Sequence, residues 1–148
     1  MKRMFIAIPL LVLPVFFYNC IAFSTGAVTP DIAMPVEGAL NAKLFSMNMI
    51  SGGVWNFRLG DLVLLLAFTT LFVELIKATN TRAESLFNHG LSMGLLLFCL
   101  IEFMLFHHFA TSVFFLLTMA ALLDVIAGFM ITIVAARRDI GVDTGVIG

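Results

Sequence analysis

The chain alternates between long apolar stretches and short polar interruptions. The apolar stretches cover residues 4–23, 59–76, 86–106 and 113–136. A helix rising about 1.5 Å per residue needs about 20 such residues to cross a hydrocarbon core of about 30 Å. Ionisable side chains inside the runs are few: Tyr18 in the first, Asp61 and Glu74 near the ends of the second, His89 and Glu102 in the third, and Asp124 at the middle of the fourth. Barrel strands alternate in face over about 10 residues, whereas these runs are apolar throughout, so helices are predicted. The expected fold is all-α, a single integral membrane four-helix bundle spanning residues 1–148.

Local punctuation sets the helix limits. Thr81-Arg82-Ala83-Glu84 has the form of a capping box, which starts the third helix at residue 82. Thr111 or Ser112 can cap the fourth. The expected helices are therefore 4–23, 59–76, 82–106 and 112–138. The short turn from His107 to Ser112 makes the last two antiparallel neighbours. Gly141, Gly145 and Gly148 mark a short C-terminal tail.

Basic residues orient this threading. Lys2, Arg3, Lys77, Arg82, Arg137 and Arg138 fall on one side, and only Lys43 and Arg58 on the other, which places both termini in the cytoplasm. The basic N-terminus, the apolar stretch and Ala22 to Ala27 also suit a cleaved signal peptide. The length of the stretch, with Pro9 and Pro14 inside it, favours a retained helix.

The outer loop, residues 24–58, is the one sizeable extramembrane segment. Val36, Leu40, Leu44 and Met47 recur at helical spacing, which predicts an interfacial helix over 36–49. Phe45, Met47 and Met49 alternate with Ser46 and Asn48, so a brief strand is the competing reading there. Trp55 sits where an aromatic anchor would. The segment is expected to cover the outer ends of the bundle.

Composition narrows the class further. Of 148 residues, 61% are hydrophobic and 11% charged, against about 25% charged in a soluble domain. The net charge of −1 and the scattering of basic residues at helix ends give no nucleic-acid stripe. The two cysteines, Cys20 and Cys99, stand apart without a Cys-x-x-Cys pair, which argues against thiol redox chemistry. All three histidines fall on or just beyond the third helix, so one chain lacks a bis-histidine haem site. Neither a phosphate loop nor a nucleophile elbow nor a zinc motif occurs. No cofactor, metal or catalytic residue is expected. The 16 phenylalanines and 9 methionines read as lipid-facing and core filling.

In lipid, small and polar residues indicate packing faces. Ala120, Asp124, Gly128, Thr132 and Ala136 form a four-residue-step stripe on the fourth helix, and Gly90 and Gly94 a small-xxx-small pair on the third. Both are expected to pack within the chain. Depth counting puts Asp124 within about 2 Å of the bilayer centre, level with Thr69 and Thr70. A shallower outer layer holds Asn19, Asp61, Glu102 and Thr118. Asp124, these four residues and Thr70 are the candidate intramembrane polar site.

An acidic side chain at mid-bilayer costs about 2.5–3.5 kcal/mol on insertion scales, so it takes a partner or a proton. Asp124 is expected to be protonated, donating to Thr69 or Thr70, with a proton-coupled or substrate-binding role as the alternative. Glu102 with His107 or His108 could make an outward site, but the plainer reading is two interfacial histidines at a helix end. Glu74 with Lys77, and Asp61 with Arg58, are expected to reach for water. By elimination the chain is a non-enzymatic accessory or assembly subunit of a larger membrane complex in the bacterial inner membrane. Its expected partners are the lipid bilayer and other membrane subunits, or itself. A proton-coupled transporter or channel using Asp124 and Glu102 is the alternative, and a quinone-binding redox subunit the second.

Overall fold

A computed structural model describes the backbone of residues 8–25, 35–78 and 83–143, and side chains over the same ranges except 83–86, 132 and 135–143. In chain order the elements are α1 (Val12–Ser24), α2 (Pro35–Leu40), β1 (Lys43–Asn48), β2 (Val54–Arg58), α3 (Leu59–Ala78), α4 (Ala83–Leu105), a 3-10 turn (His107–Phe109) and α5 (Ser112–Asp143). The chain is mostly helical, with one small two-stranded sheet. Among the described residues, three helical spans are long and apolar enough to cross a membrane: Leu59–Ala78, Phe87–Leu105 and Ser112–Ile131.

The first helix is shorter than its apolar run suggests. Val12–Ser24 has 13 residues, about 20 Å of helix. Pro9 and Pro14 account for the start. Val12 N–H donates to Pro9 O at 3.1 Å and Leu13 N–H to Leu10 O at 3.0 Å, so a tight turn precedes the helix. Proline has no N–H of its own and is tolerated only within a first turn. Residues 4–7 of the expected first helix lie outside the described residues, as do Thr81 and Arg82 of the capping box.

The outer loop differs more. The helical spacing from Val36 ends at Leu40, and the alternation from Lys43 wins, because Val54–Arg58 supplies a strand to pair with it. The hairpin is antiparallel, with Phe45 opposite Phe57 and Met47 opposite Trp55. Gly52 takes φ 83° in the connection, a left-handed conformation that favours glycine. Phe45 stacks on Phe57 at 4.9 Å between ring centroids, and Trp55 meets both rings edge-on. The hairpin itself is exposed along almost its whole length. Covering of the bundle end falls to α2, whose Val36 and Leu40 are buried in the core.

α5 is the central helix, packing against α3 and α4 and touching α1, while α3 also takes α1 on another side. The expected antiparallel contact of the last two long helices is present. The core at the hairpin end is aromatic: Tyr18, Phe109 and Phe114 form a ring cluster with centroids 4.7–5.6 Å apart. Gly60 lies at a close crossing there, because a Cβ on it would sit 3.0 Å from Val113 Cγ2 and 3.3 Å from Leu40 O. Deeper in the bundle, Leu11, Leu71 and Ala120 form a second cluster.

Tyr18 is fully buried, and its hydroxyl is doubly engaged. It lies 2.6 Å from Thr111 Oγ1 and donates to His108 O at 3.0 Å. Thr111 Oγ1 also accepts from Phe114 N–H at 3.2 Å, capping α5 as its sequence suggests. These bonds tie α1 to the α4–α5 turn. Tyr18→Phe is expected to lower stability in detergent by about 1–2 kcal/mol, since it leaves buried acceptors short of a donor. A thermal or denaturant melt unchanged within error would show that this link contributes nothing.

Candidate functional site

The buried polar side chains divide into two groups. Toward the hairpin end, Asn19 on α1 donates through Nδ2 to Glu102 Oε2 on α4 at 3.2 Å and to Val15 O of its own helix at 3.1 Å. Glu102 is 5% exposed, so the amide supplies the bond that water would otherwise give. Two members of the expected outer layer stand elsewhere. Asp61 Oδ2 accepts from Arg58 N–H at 2.9 Å, acting as a cap where strand turns to helix. Thr118 is buried and bonds Phe114 O one turn back at 2.9 Å. The outer layer is thus an Asn19–Glu102 pair, not a four-residue cluster. Beside Asp61, a cleft of about 280 Å³ opens at this end, with Glu37, Arg58 and Thr111 among its walls.

The second group lies deeper, between α3, α4 and α5, and Glu74 anchors it. The sequence places this carboxylate near the cytoplasmic boundary reaching for water, but the structure buries it, with its side chain 0% exposed. Glu74 Oε1 pairs with Lys77 Nζ at 2.9 Å and accepts the Leu10 N–H; Oε2 accepts from Asn88 Nδ2 at 3.0 Å. Lys77 Nζ also donates to Ile8 O at 3.0 Å. Every bond to Glu74 comes from a different element or from its own ion-pair partner. The reason for its burial is that α1 covers this face of α3, which helical spacing does not announce.

Asp124 is 5% exposed on α5. The expected bridge to Thr69 or Thr70 is absent: Thr69 donates to Leu65 O at 2.7 Å, and Thr70 to Leu66 O and Ala67 O at 2.9 and 3.0 Å. A helical threonine hydroxyl readily bonds the preceding turn of its own helix. Asp124 faces α4 instead. Ser92 lies against its carboxyl, with Glu74, His89 and Lys77 within electrostatic reach. Among the described residues, the buried atoms Asn88 Oδ1, His89 Nε2, Ser92 Oγ and Asp124 Oδ2 nevertheless have no hydrogen-bond partner within the usual distance and angle.

The small-residue stripes behave differently from each other. Ala120 is buried against Leu11 and Leu71. Gly128 receives the His89 ring, whose Nδ1 would lie 2.2 Å from a Cβ built there, and His89 also meets Phe129 edge-on at 4.6 Å. The side chain of Thr132 lies outside the described residues. Ala120 and Gly128 of this stripe thus pack against other parts of the chain. Gly90 and Gly94 do not. Nothing lies within 4 Å of a Cβ on either glycine, because α4 turns Asn88, Ser92 and Cys99 inward and leaves the opposite face open.

Asn88 and Ser92 were not singled out by sequence reasoning as polar site residues. The signal was available in their four-residue spacing, on the face opposite Gly90 and Gly94. Among the described residues, no group of three or more His, Cys, Asp or Glu side chains is placed to hold a metal ion. Comparison with protein-family models, curated proteins and solved structures finds no match.

Proposed function

We propose that this chain is a multi-pass membrane protein that works by association, as an accessory or assembly subunit of a larger membrane complex. The observation that carries this reading is the open Gly90–Gly94 face of α4, with Phe87, Leu97 and Phe98 exposed around it. Glycines four apart let a second helix approach closely, and close approach with good van der Waals contact is what drives helix association in lipid. Among the described residues nothing packs on that face.

The proposed topology has four crossings, both termini in the cytoplasm and the 43–58 hairpin outside. Packing of α1 against α3, with Tyr18, Ile21 and Val15 in the core, supports its retention as a helix of the mature protein. The exposed hairpin supports association as well. Its Met47, Val54, Trp55 and the tip residue Ile50 are apolar and uncovered, and a lone two-stranded hairpin is marginal in water.

The test is the native mass of the particle released by gentle detergent, with identification of what accompanies it. A stoichiometric companion subunit is expected. Gly90→Leu and Gly94→Leu should each release that companion while leaving the melting temperature of the chain itself unchanged, because both positions face open space. A companion retained at full stoichiometry in both variants would remove the basis of this reading. A clean homodimer would favour transport through paired copies instead.

A further inference from the structure

The hairpin carries two cations on one face, and a one-residue slip in its register puts them there. Phe45 and Met47 stand opposite Phe57 and Trp55, and Ser46 stands opposite Asn56. Successive side chains of a strand take opposite faces, so one face is aromatic and the other holds Ser46 and Asn56. Strict alternation would send Lys43 to the aromatic face. The register instead shifts between Lys43 and Phe45, and Lys43 pairs with Arg58, on the face of Ser46 and Asn56. Lys43 Nζ accordingly donates to Ser46 Oγ at 3.5 Å. An inserted residue of this kind re-aims a side chain, here against a penalty, because like charges directly opposite each other repel.

The surroundings suit an anion. Lys43, Arg58, Asn41 and Asn56 line a cleft of about 480 Å³. Arg58 Nη1 donates to Asn41 Oδ1 at 2.8 Å, which holds the guanidinium in place and leaves the Asn41 NH2 as a further donor. Among the described residues neither cation is paired with a carboxylate. Asp61, the nearest acid along the chain, accepts the Arg58 backbone N–H instead, and with Glu37 it lines the adjoining cleft. A guanidinium and an ammonium around one cleft, supplemented by amide donors, match the several oxygens of a phosphate group. Position then names the source. Arg58 directly precedes Leu59, the first residue of an apolar span, so the cleft stands at the level of lipid phosphates when α3 crosses a bilayer. We propose that Lys43 and Arg58, with Asn41 and Asn56, bind the phosphate group of a phospholipid headgroup. The bound anion offsets the repulsion between the two cations. The site is built on the hairpin and not on α4, so it stands independently of the association reading.

The experiment titrates the purified full chain, in an uncharged detergent at fixed pH and ionic strength, with phosphatidylglycerol. Native mass spectrometry reads the lipid retained. Saturable retention of one lipid per chain is expected, whereas diacylglycerol with the same acyl chains should not be retained. Lys43→Gln and Arg58→Gln should each raise the half-saturating concentration about tenfold, as loss of a charge-assisted hydrogen bond does. Lys43→Arg should restore it. Lys43 is exposed and makes only the Ser46 contact, so its variants test the site even where Arg58→Gln fails to fold. Glycerophosphoglycerol, the same phosphodiester without acyl chains, should compete only far above the lipid concentration. Competition at equal concentration would make a free phosphate compound the ligand and overturn the lipid assignment. Half-saturation unchanged in Lys43→Gln, or retention of diacylglycerol equal to that of phosphatidylglycerol, would overturn the site itself.

Discussion

Glu74→Ala is expected to destabilise the protein by about 3–5 kcal/mol, the cost typical of removing one partner from a buried ion pair. The carboxylate accepts the Leu10 N–H, the Asn88 amide and the Lys77 ammonium. Its removal leaves a cation that is only 17% exposed and two donors without acceptors. The loss is directional as well as large, because Leu10 leads into α1. Proteolysis within residues 8–25 should therefore begin at temperatures where α3 to α5 are still folded. Glu74→Gln keeps the volume and one acceptor oxygen for Leu10 or Asn88, but sets its amide NH2 against the other donor and removes the charge, so its loss should be smaller than that of Glu74→Ala without vanishing. The double change Glu74→Ala with Lys77→Ala should cost less than the sum of the single changes, since no cation is then stranded. Strict additivity, or a melt of Glu74→Ala within about 1 kcal/mol of wild type, would show that water reaches this pair and that the burial described above is wrong.

The second large effect is expected at Gly128. Even a methyl group there would meet His89 Nδ1 at 2.2 Å and Cε1 at 2.6 Å, and a leucine would fill the space the ring occupies. Overpacking of this kind costs about 1–3 kcal/mol, and Gly128→Leu should lie at the upper end because Phe129 meets the ring from beside the glycine. Gly128→Ala should cost less, since an imidazole can swing where backbone cannot. The compensating change is His89→Ala, which vacates the contact. The double variant Gly128→Leu with His89→Ala should melt close to His89→Ala alone. Equal destabilisation by Gly128→Leu in the presence and absence of the ring would place the conflict elsewhere. Leucines at Gly90 or Gly94 serve as the contrast within one protein, because those glycines meet nothing.

How much of this was legible in the chain depends on what kind of information each feature needs. The three long helices, the tight turn between the last two and the Thr111 cap follow from residue type and spacing alone. An apolar run is helical in lipid because no water is present to satisfy its backbone. The hairpin was half legible. Alternation from Phe45 to Met49 was visible, but Val54–Arg58 was not recognised as its partner, and pairing is a non-local property. The site residues were legible as residue types at depth and not as contacts. Asn19 and Glu102 do meet, while Asp61 accepts from Arg58 at the end of β2 and Thr118 bonds its own helix.

What the sequence alone determined, then, is that three long apolar helices exist, roughly where they lie, and which rare polar groups they carry. What only the tertiary structure decided is the rotation of each helix about its axis. That rotation buries Glu74, turns Asp124 toward Ser92 instead of Thr70, packs Gly128 under His89 and leaves Gly90 and Gly94 outside. The physical reason is that lipid and protein interior are equally apolar. A helix bordered by both shows little difference between its faces, and contacts with neighbouring helices settle what hydropathy leaves open.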